Sequence, residues 1–236
     1  MRIVVSFVSQ KGGVGKSTLA RALLAVGAHD MKVRLADLDP NQGSVVAWER
    51  SRQRNTSAPP CEVVPYATAA DALAASGDVD LLILDTPAGT SRRTLEVARN
   101  SHLVVLPTGP SADDLVPTIL TLHELVQEGI PKERLVVAIC RVLGEGEEET
   151  VRAYVADAGY QVLAGAIPER VAYREAQNRG QAITETRSLQ LNERAETLMQ
   201  SLFEKIIAEI DSRLEKVTAQ IKRQASSRHS KKGKKG

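Results

Sequence analysis

The segment Gln10–Thr18, with the sequence QKGGVGKST, constrains the fold of this chain more than any other stretch. An apolar run at 3–9 precedes it and predicts a buried strand, and Leu19–Ala25 after it predicts a helix. A glycine-rich turn between a strand and a helix directs several backbone N–H groups, and the positive end of the helix dipole, at one spot. Lys16 adds a mobile cation, and the Ser17 hydroxyl can hold a magnesium ion. The segment predicts a phosphate-binding loop for a nucleoside triphosphate; the alternative is an ordinary turn with two solvated lysines.

A second lysine stands at the mouth of this loop. In the general pattern G-x-x-x-x-G-K-[ST], Lys11 occupies the position of the first glycine. A large cation placed there cannot easily fold back onto the phosphates of its own loop, whereas it can reach those of a facing subunit. The pattern therefore predicts a site that is completed by two subunits.

Strand-like apolar runs alternate with helical patterns over most of the chain. The predicted strands are 3–9, 33–38, 62–65, 80–85, 102–107, 134–140 and 161–163. The predicted helices between them are 16–28, 43–53, 68–76, 91–100, 112–128 and 147–158. Strands such as Leu81–Leu84 are apolar on both faces, which is typical of a parallel sheet covered by helices on both sides. The fold class is therefore α/β, with a doubly wound, mostly parallel sheet.

The pattern changes after the last of these strands. Residues 166–170 predict a loop that leaves the sheet, and 171–179 predict a helix. Apolar residues then recur at helical spacing from Leu189 to Ile221, which predicts a long helix whose first half packs on the domain. The stretch Gln224–Gly236, rich in Ser, Gly and Lys, predicts a disordered tail.

The length of 236 residues fits one domain followed by a tail. We expect an ATPase-like domain at 1–210 and an extended helix end with a basic tail at 211–236. The net charge is only +2, yet Lys222–Gly236 holds seven Lys and Arg residues and no acidic residue. The rest of the chain is therefore acidic on balance, and the basic end predicts contact with a polyanion.

Several classes of protein are disfavoured by composition. Cys61 and Cys140 are too few and too far apart for a metal site or a disulfide framework. No apolar stretch approaches the length of a membrane span. The first strand begins almost at residue 1, so we expect no cleavable signal and a cytoplasmic protein.

Two acidic residues, Asp37 and Asp39, lie at the end of the second predicted strand, in the sequence ADLDP. Carboxylates at the carboxyl edge of a parallel sheet face the ligand crevice. We interpret Asp39 as the residue that orients or polarises the attacking water, and Asp37 as support for it or for the magnesium shell. The alternative is a strand-end turn built on Asp-Pro.

Asp85 ends another apolar strand, in the sequence LLILDTPAG. At this distance behind a phosphate-binding loop, such an acidic residue predicts a magnesium ligand, bound directly or through water. Residues 86–89 would then begin a switch loop near the γ-phosphate. The alternative is an Asp that only caps the strand end.

These motifs resemble those of the ParA/MinD family of deviant Walker A ATPases, whose signature is K-G-G-x-G-K-[ST]. The resemblance covers roughly 1–210 and is strongest at 9–18, 35–43 and 81–89; short ParA-type plasmid partition ATPases are the most similar. The resemblance implies ATP and Mg²⁺ as cofactors. The sequence has no Asn-Lys-x-Asp motif, which would bind guanine and indicate GTP instead. D-x-D-P is a family hallmark, although here Asn41 separates the proline from Gln42.

The resemblance also implies roles for individual residues. The catalytic residues would be Lys11, Lys16 and Asp39, and the metal ligands Ser17, Asp39 and Asp85. The phosphate-binding residues would be Lys11, Gly12, Gly13, Val14, Gly15, Lys16, Ser17 and Thr18. Adenine would lie near the loops after the sixth and seventh strands, against Arg141 and Pro168.

The function implied is an ATP-dependent DNA partition ATPase in the cytoplasm, associated with the nucleoid. ATP would favour a homodimer that binds DNA without sequence preference, and a ParB-like or other cargo-binding adaptor would stimulate hydrolysis. The candidate contacts to DNA phosphates are the basic tail and four arginines: Arg170, Arg174, Arg179 and Arg187. The alternative is that these arginines only form a solvated charged surface. The alternatives are a conjugation accessory ATPase of the VirC type, a MinD-like positioning ATPase, and a metabolic enzyme or metal-cluster carrier. The tail lacks the bulky apolar residues with which a MinD-like protein would anchor to a membrane. The absence of Cys-x-x-Cys argues against the carrier.

Overall fold

The structure, a computed structural model, describes residues 2–39, 43–54, 59–89 and 91–232. Its strands are β1 (Ile3–Phe7), β2 (Val33–Asp37), β3 (Glu62–Pro65), β4 (Leu81–Asp85), β5 (Leu103–Thr108), β6 (Leu135–Val142) and β7 (Gln161–Pro168). Its α-helices are α1 (Lys16–Gly27), α2 (Ser44–Gln53), α3 (Ala69–Ala75), α4 (Ser91–Arg99), α5 (Ala112–Gln127), α6 (Glu145–Asp157), α7 (Val171–Asn178) and α8 (Leu189–Lys232).

The seven strands form one parallel sheet in the order β3-β2-β4-β1-β5-β6-β7. This confirms the predicted α/β class. β1 lies between β4 and β5, so the chain leaves β1 at the point where the strand order reverses. In open α/β sheets this is where the crevice for a ligand opens, beyond the carboxyl ends of the strands.

Helices cover both faces of the sheet because alternate residues of each central strand point to opposite sides. In β1, Ile3, Val5 and Phe7 join the core beneath α1, α2, α7 and α8. Val4 and Val8 join the core beneath α3, α4, α5 and α6. All five residues are at most 2% exposed, and burial of each such side chain contributes about 1.5–3 kcal/mol. The centre of the sheet is therefore a rigid base for the residues at its edge.

A buried ion pair ties α2 to the connection between α7 and α8. The Arg52 guanidinium, 1% exposed, donates to both carboxylate oxygens of Glu185 at 2.7 Å and to the Gly180 carbonyl at 3.1 Å. The Trp48 indole N–H donates to the Gln181 carbonyl at 3.0 Å. A Cβ atom on Gly180 would overlap the backbone of Arg52, and Gly180 has a φ of +75°. Glycine is thus required where the two segments touch.

The last strand is longer than the sequence predicts. The predicted loop at 166–170 begins too early, because β7 continues to Pro168 through register shifts in its pairing with β6. β7 is the edge strand, where a proline without an N–H group costs no ladder hydrogen bond on the open side. The correction moves Pro168 from a loop to the carboxyl end of a strand.

The prediction of a disordered tail from Gln224 is wrong as far as the structure describes it. α8 continues to Lys232, and of the predicted tail only 233–236 lie outside the described residues. Between Leu189 and Lys232 there is no Gly or Pro, and Lys, Arg, Ala and Gln favour helix. Ile210 packs against the core, whereas Leu214 is 52% exposed. The division at 210/211 stays a prediction, since α8 itself has no break there.

None of the helices within the described residues is both long enough and apolar enough to cross a membrane.

Candidate functional site

The glycine-rich loop lies between the end of β1 and the start of α1, as predicted. Gly15 is the residue before the helix and has a φ of 113°, and Gly13 has a φ of 76°. A Cβ atom on Gly15 would also stand 3.0 Å from the Cys140 sulfur. A left-handed backbone that passes this close to β6 excludes other residues at position 15. The loop therefore presents its N–H groups at the amino end of α1, where phosphates bind.

Lys16 is turned into this loop. Its side chain is 7% exposed, and its ammonium donates to the Lys11 carbonyl at 2.8 Å. Burial lowers the pKa of Lys16, and the nearby carboxylates of Asp85 and Asp39 act in the opposite direction. The lysine is thus held as a partly desolvated cation inside the ring that the loop forms.

Two acidic residues lie side by side at the edge of the sheet. Asp37 and Asp85 are paired in register as the last residues of β2 and β4, and they are 1% and 3% exposed. The pKa of Asp85 is raised to about 6, mainly by burial; the hydrogen bond from Ser17 acts to lower this pKa and the charge of Asp37 acts to raise it. Burial also raises the pKa of Asp37. One oxygen of each carboxylate, Asp37 Oδ2 and Asp85 Oδ1, is buried without a hydrogen-bond partner.

These orphaned oxygens fit a magnesium ion. Buried carboxylate oxygens without partners are costly, and a hard divalent cation would satisfy them. Magnesium is typically held by one or two carboxylates together with water and substrate phosphates. Among the described residues, no group of three or more His, Cys, Asp or Glu side chains could hold a metal ion. Asp85 and Ser17 lie in the same cavity, and their role as magnesium ligands stays a prediction. Asp37 joins Asp85 through a strand register that the sequence motif alone does not give.

Asp39 lines the same cavity of about 230 Å³ as Gly12, Lys16, Ser17 and Asp85. Its N–H donates to Asp37 Oδ1 at 2.9 Å, and its carbonyl accepts from the Gly43 N–H at 3.1 Å. The turn that follows, including Pro40, Asn41 and Gln42, lies outside the described residues. Asp39 is thus positioned beside the phosphate loop by its own backbone contacts to Asp37 and Gly43.

A second cavity of about 360 Å³ adjoins the loop on the side of α7. Both predicted adenine contacts, Arg141 and Pro168, line it together with Gly13 and Thr18. Arg141 is the one non-glycine residue among those described that has a positive φ, 63°, and its guanidinium pairs with Glu169 at 3.2 Å. A left-handed backbone is uncommon for a residue other than glycine, so the backbone beside this cavity is strained at Arg141.

Residues of α1 and α7 support the loop in a manner that sequence analysis missed. Gln177 Oε1 accepts from the Arg21 guanidinium at 2.8 Å and from the Thr18 hydroxyl at 3.4 Å. Arg21 is 9% exposed, and burial lowers its pKa while Asp85 and Asp37 raise it. No motif marks these positions, because the contact joins residues more than 150 positions apart.

The four candidate DNA contacts are exposed on and around α7. Arg174 pairs with Glu169 at 3.1 Å, and Arg179 pairs with Glu175 at 3.7 Å. Arg170 donates to the neighbouring Glu169 carbonyl. Exposed ion pairs of this kind contribute about 0–1 kcal/mol, so they do not withhold the arginines from a phosphate.

The loop, the acidic pair at the ends of β2 and β4, and the parallel sheet define a P-loop nucleotide-binding protein. Residues 5–183 match the family model described as the CobQ/CobB/MinD/ParA nucleotide binding domain. The chain belongs to this family of P-loop NTPases, which confirms the resemblance seen in its motifs.

Individual relatives agree with this assignment. The chain is 33% identical over 150 residues to Maintenance of carboxysome distribution protein A of Gloeobacter kilaueensis, covering 61% of this chain and 68% of the relative. It is 25% identical over 217 residues to protein ParA of Rhizobium radiobacter, covering 86% and 97%. A candidate plasmid partition protein of Borrelia burgdorferi, solved with AMPPNP bound, has a TM-score of 0.67 at 17% identity, covering 87% of this chain and 100% of that one.

Proposed function

We propose that this protein is an ATPase that partitions or positions DNA-linked cargo, and that ATP binding drives it to form a homodimer. The observation that carries the proposal is the different setting of the two lysines in one loop. Lys16 is buried inside the loop, whereas the Lys11 side chain is 40% exposed and extends from its mouth toward α5. We assign Lys16 to the phosphates of its own subunit and Lys11 to those of a partner.

The chemistry is phosphoryl transfer to water, which depends on positioning and on neutralising charge at the γ-phosphate. Lys16 and the loop N–H groups hold the phosphates, and Asp39 orients the attacking water. Ser17 and Asp85 would hold magnesium, with Asp39 and Asp37 nearby, and the bound ion would supply further positive charge to the phosphate oxygens. Arg141 and Pro168 border the cavity that accepts the adenine.

Lys11 acts across the dimer. In the manner of an arginine finger, it would contact the phosphates bound to the facing subunit. Hydrolysis is then slow in the isolated chain and coupled to assembly. This arrangement makes the two lysines separable by mutation, although they belong to the same short loop.

We expect Lys11→Ala to keep ATP binding but to lose ATP-driven dimerisation and to hydrolyse ATP more than about tenfold more slowly, because it lacks the trans cation. Mixing it with a Lys16→Ala chain should restore part of the activity, since the second chain supplies Lys11 to the first chain's nucleotide. A mixture of Lys11→Ala with the Lys11→Ala/Lys16→Ala double variant is the matched control and should stay inactive. Steady-state phosphate release measures all three. No recovery in the first mixture would exclude action in trans.

The basic end of α8 is the proposed DNA contact. Seven Lys and Arg residues follow Ile221 in the sequence, five within α8 and two after Lys232, and Ile210 before them packs on the domain core. Such a stretch is suited to bind DNA of any sequence, because contacts to the phosphates provide affinity without sequence preference. The exposed arginines around α7 would add to this surface.

We expect deletion of Lys222–Gly236 to weaken duplex DNA binding and to leave basal ATP hydrolysis unchanged. Each phosphate contact contributes about −0.9 to the slope of log affinity against log salt, and not all seven residues engage at once. The truncated protein should therefore lose about two to four units of slope. Affinity for DNA at several salt concentrations, with ATP present, gives the slope. A full-length variant with the seven basic residues changed to Gln is the matched control, and an unchanged slope in both variants would place the DNA surface on the folded domain.

An adaptor that carries the cargo would stimulate hydrolysis and so release the dimer from DNA. The protein would then act in the cytoplasm, on the nucleoid and without a membrane role. The overall function is tested by the ATPase rate of the full chain alone, with DNA, and with DNA plus the product of the neighbouring gene. A rate that responds to neither addition would contradict a partition or transfer role.

A further inference from the structure

We propose that Asp114 is a positioning residue that holds Lys11 within its own subunit and thereby restrains ATP-driven dimerisation. The inference rests on the proposed function, in which Lys11 must reach the phosphates of a facing subunit. The inference adds that the ion pair between Lys11 and Asp114 must break before Lys11 can reach those phosphates.

The contact is a partly buried ion pair between the loop and the first turn of α5. The Lys11 ammonium lies 3.1 Å from Asp114 Oδ1, and the Asp114 side chain is only 12% exposed. The other carboxylate oxygen is seated against Gly109, where a Cβ atom would overlap it. The position of the carboxylate is therefore fixed by packing, and its removal from water makes the pair stronger than one on an open surface.

The backbone of the loop is held at the same place. The Lys11 carbonyl accepts from the Lys16 ammonium at 2.8 Å, and its N–H donates to the Ser9 hydroxyl at 3.0 Å. The Gln10 amide lies 3.5 Å from Glu124 Oε2, which is a second contact between the loop and α5. In this state the Lys11 side chain is held by α5 of its own subunit.

Nucleotide binding would introduce a competitor for the Lys11 side chain. The Lys16 ammonium has three N–H groups, so it can donate to the phosphates of its own subunit as well as to the Lys11 carbonyl. The side chain of Lys11 is held by Asp114, and a phosphate of the facing subunit competes as a more highly charged acceptor. The dimer forms only when the pair of Lys11 and Asp114 breaks. Asp114 therefore lowers the affinity of the nucleotide-dependent dimer.

We expect Asp114→Asn to tighten AMPPNP-dependent dimerisation by about three- to tenfold, which is the combined effect on the equilibrium constant of the two ion pairs lost, one in each subunit. Asp113→Asn is the matched control, because Asp113 lies in the same first turn, is exposed, and loses the same charge. It should dimerise as the wild type does. Fluorescence transfer between two labelled populations of the full chain measures the dissociation constant, and melting temperatures show that both variants fold. Asp114→Ser replaces Asp114→Asn if the latter is unstable.

A comparison of two heterodimers separates positioning from a general effect of charge. One pairs Asp114→Asn with Lys11→Ala, and the other pairs wild type with the Lys11→Ala/Asp114→Asn double variant. Each heterodimer contains a single Lys11 and a single Asp114→Asn substitution, but only in the first do the two lie on the same chain. If Asp114 acts through the Lys11 of its own chain, the first heterodimer is the tighter one. Equal affinities overturn the inference.

Failure of this inference differs from failure of the proposed function. If the wild type dimerises with AMPPNP but Asp114→Asn and Asp113→Asn behave alike, only the role of Asp114 is lost. If the wild type forms no nucleotide-dependent dimer, both proposals are lost together.

Discussion

Lys16→Ala should lower the affinity for ATP by at least about 100-fold, because a charged donor to the phosphates is worth several kcal/mol and each 1.4 kcal/mol is about tenfold. The expectation follows from burial: the Lys16 ammonium is already held inside the loop, so its charge acts at short range and with little screening. Titration with a fluorescent ATP analogue measures the loss.

Lys32→Ala is the matched control for this variant. Lys32 pairs with Asp78 at 2.9 Å on an exposed surface and precedes β2, so it lies at the opposite edge of the sheet. Its removal should leave ATP affinity unchanged. Wild-type affinity in Lys16→Ala would remove this lysine from the phosphate site.

Asp39→Ala should bind ATP within about threefold of the wild type and hydrolyse it about 100-fold more slowly, because positioned proton acceptors contribute about 10²–10⁴ to a rate. Asp39 lines the cavity of the loop, and its backbone is placed by contacts to Asp37 and Gly43, so we expect the phosphate-binding N–H groups of the loop to keep their positions in the variant. The expected product is an ATP-bound dimer that persists.

Size-exclusion chromatography with ATP and a steady-state ATPase assay test this variant together. Asp78→Ala, an exposed carboxylate at the far edge of the sheet, is the control and should match the wild type in both assays. A kcat for Asp39→Ala near that of the wild type would show that another group positions the water.

Much of the architecture can be predicted because it is encoded locally. Runs such as Leu81–Leu84 must be buried on both faces, and each strand is followed by a helical pattern, so the parallel sheet follows from the sequence. The sequence also predicts the positions of three parts of the site, because each lies at or shortly after the carboxyl end of an apolar strand: the loop at 10–18, Asp39 and Asp85. Their roles in catalysis and metal binding stay predictions.

What could not be predicted depends on contacts between distant segments. The orphaned oxygen of Asp37 becomes meaningful only once β2 and β4 are neighbours in register. The ion pair between Lys11 and Asp114 joins residues 103 positions apart, and neither carries a local signal for the other. The polar composition at the end of α8 predicts disorder, although its residues individually favour the helix that the structure contains.

The buried pair of Arg52 and Glu185 has a mechanical consequence for this protein. Separation of such a pair by loss of one partner costs about 3–5 kcal/mol, so α2 and the segment after α7 behave as a single block. Gln177, near the end of α7, accepts from the Thr18 hydroxyl beside the second cavity. We therefore expect α2 and the end of α7 to move together, as one unit, in any change that follows from binding at this cavity.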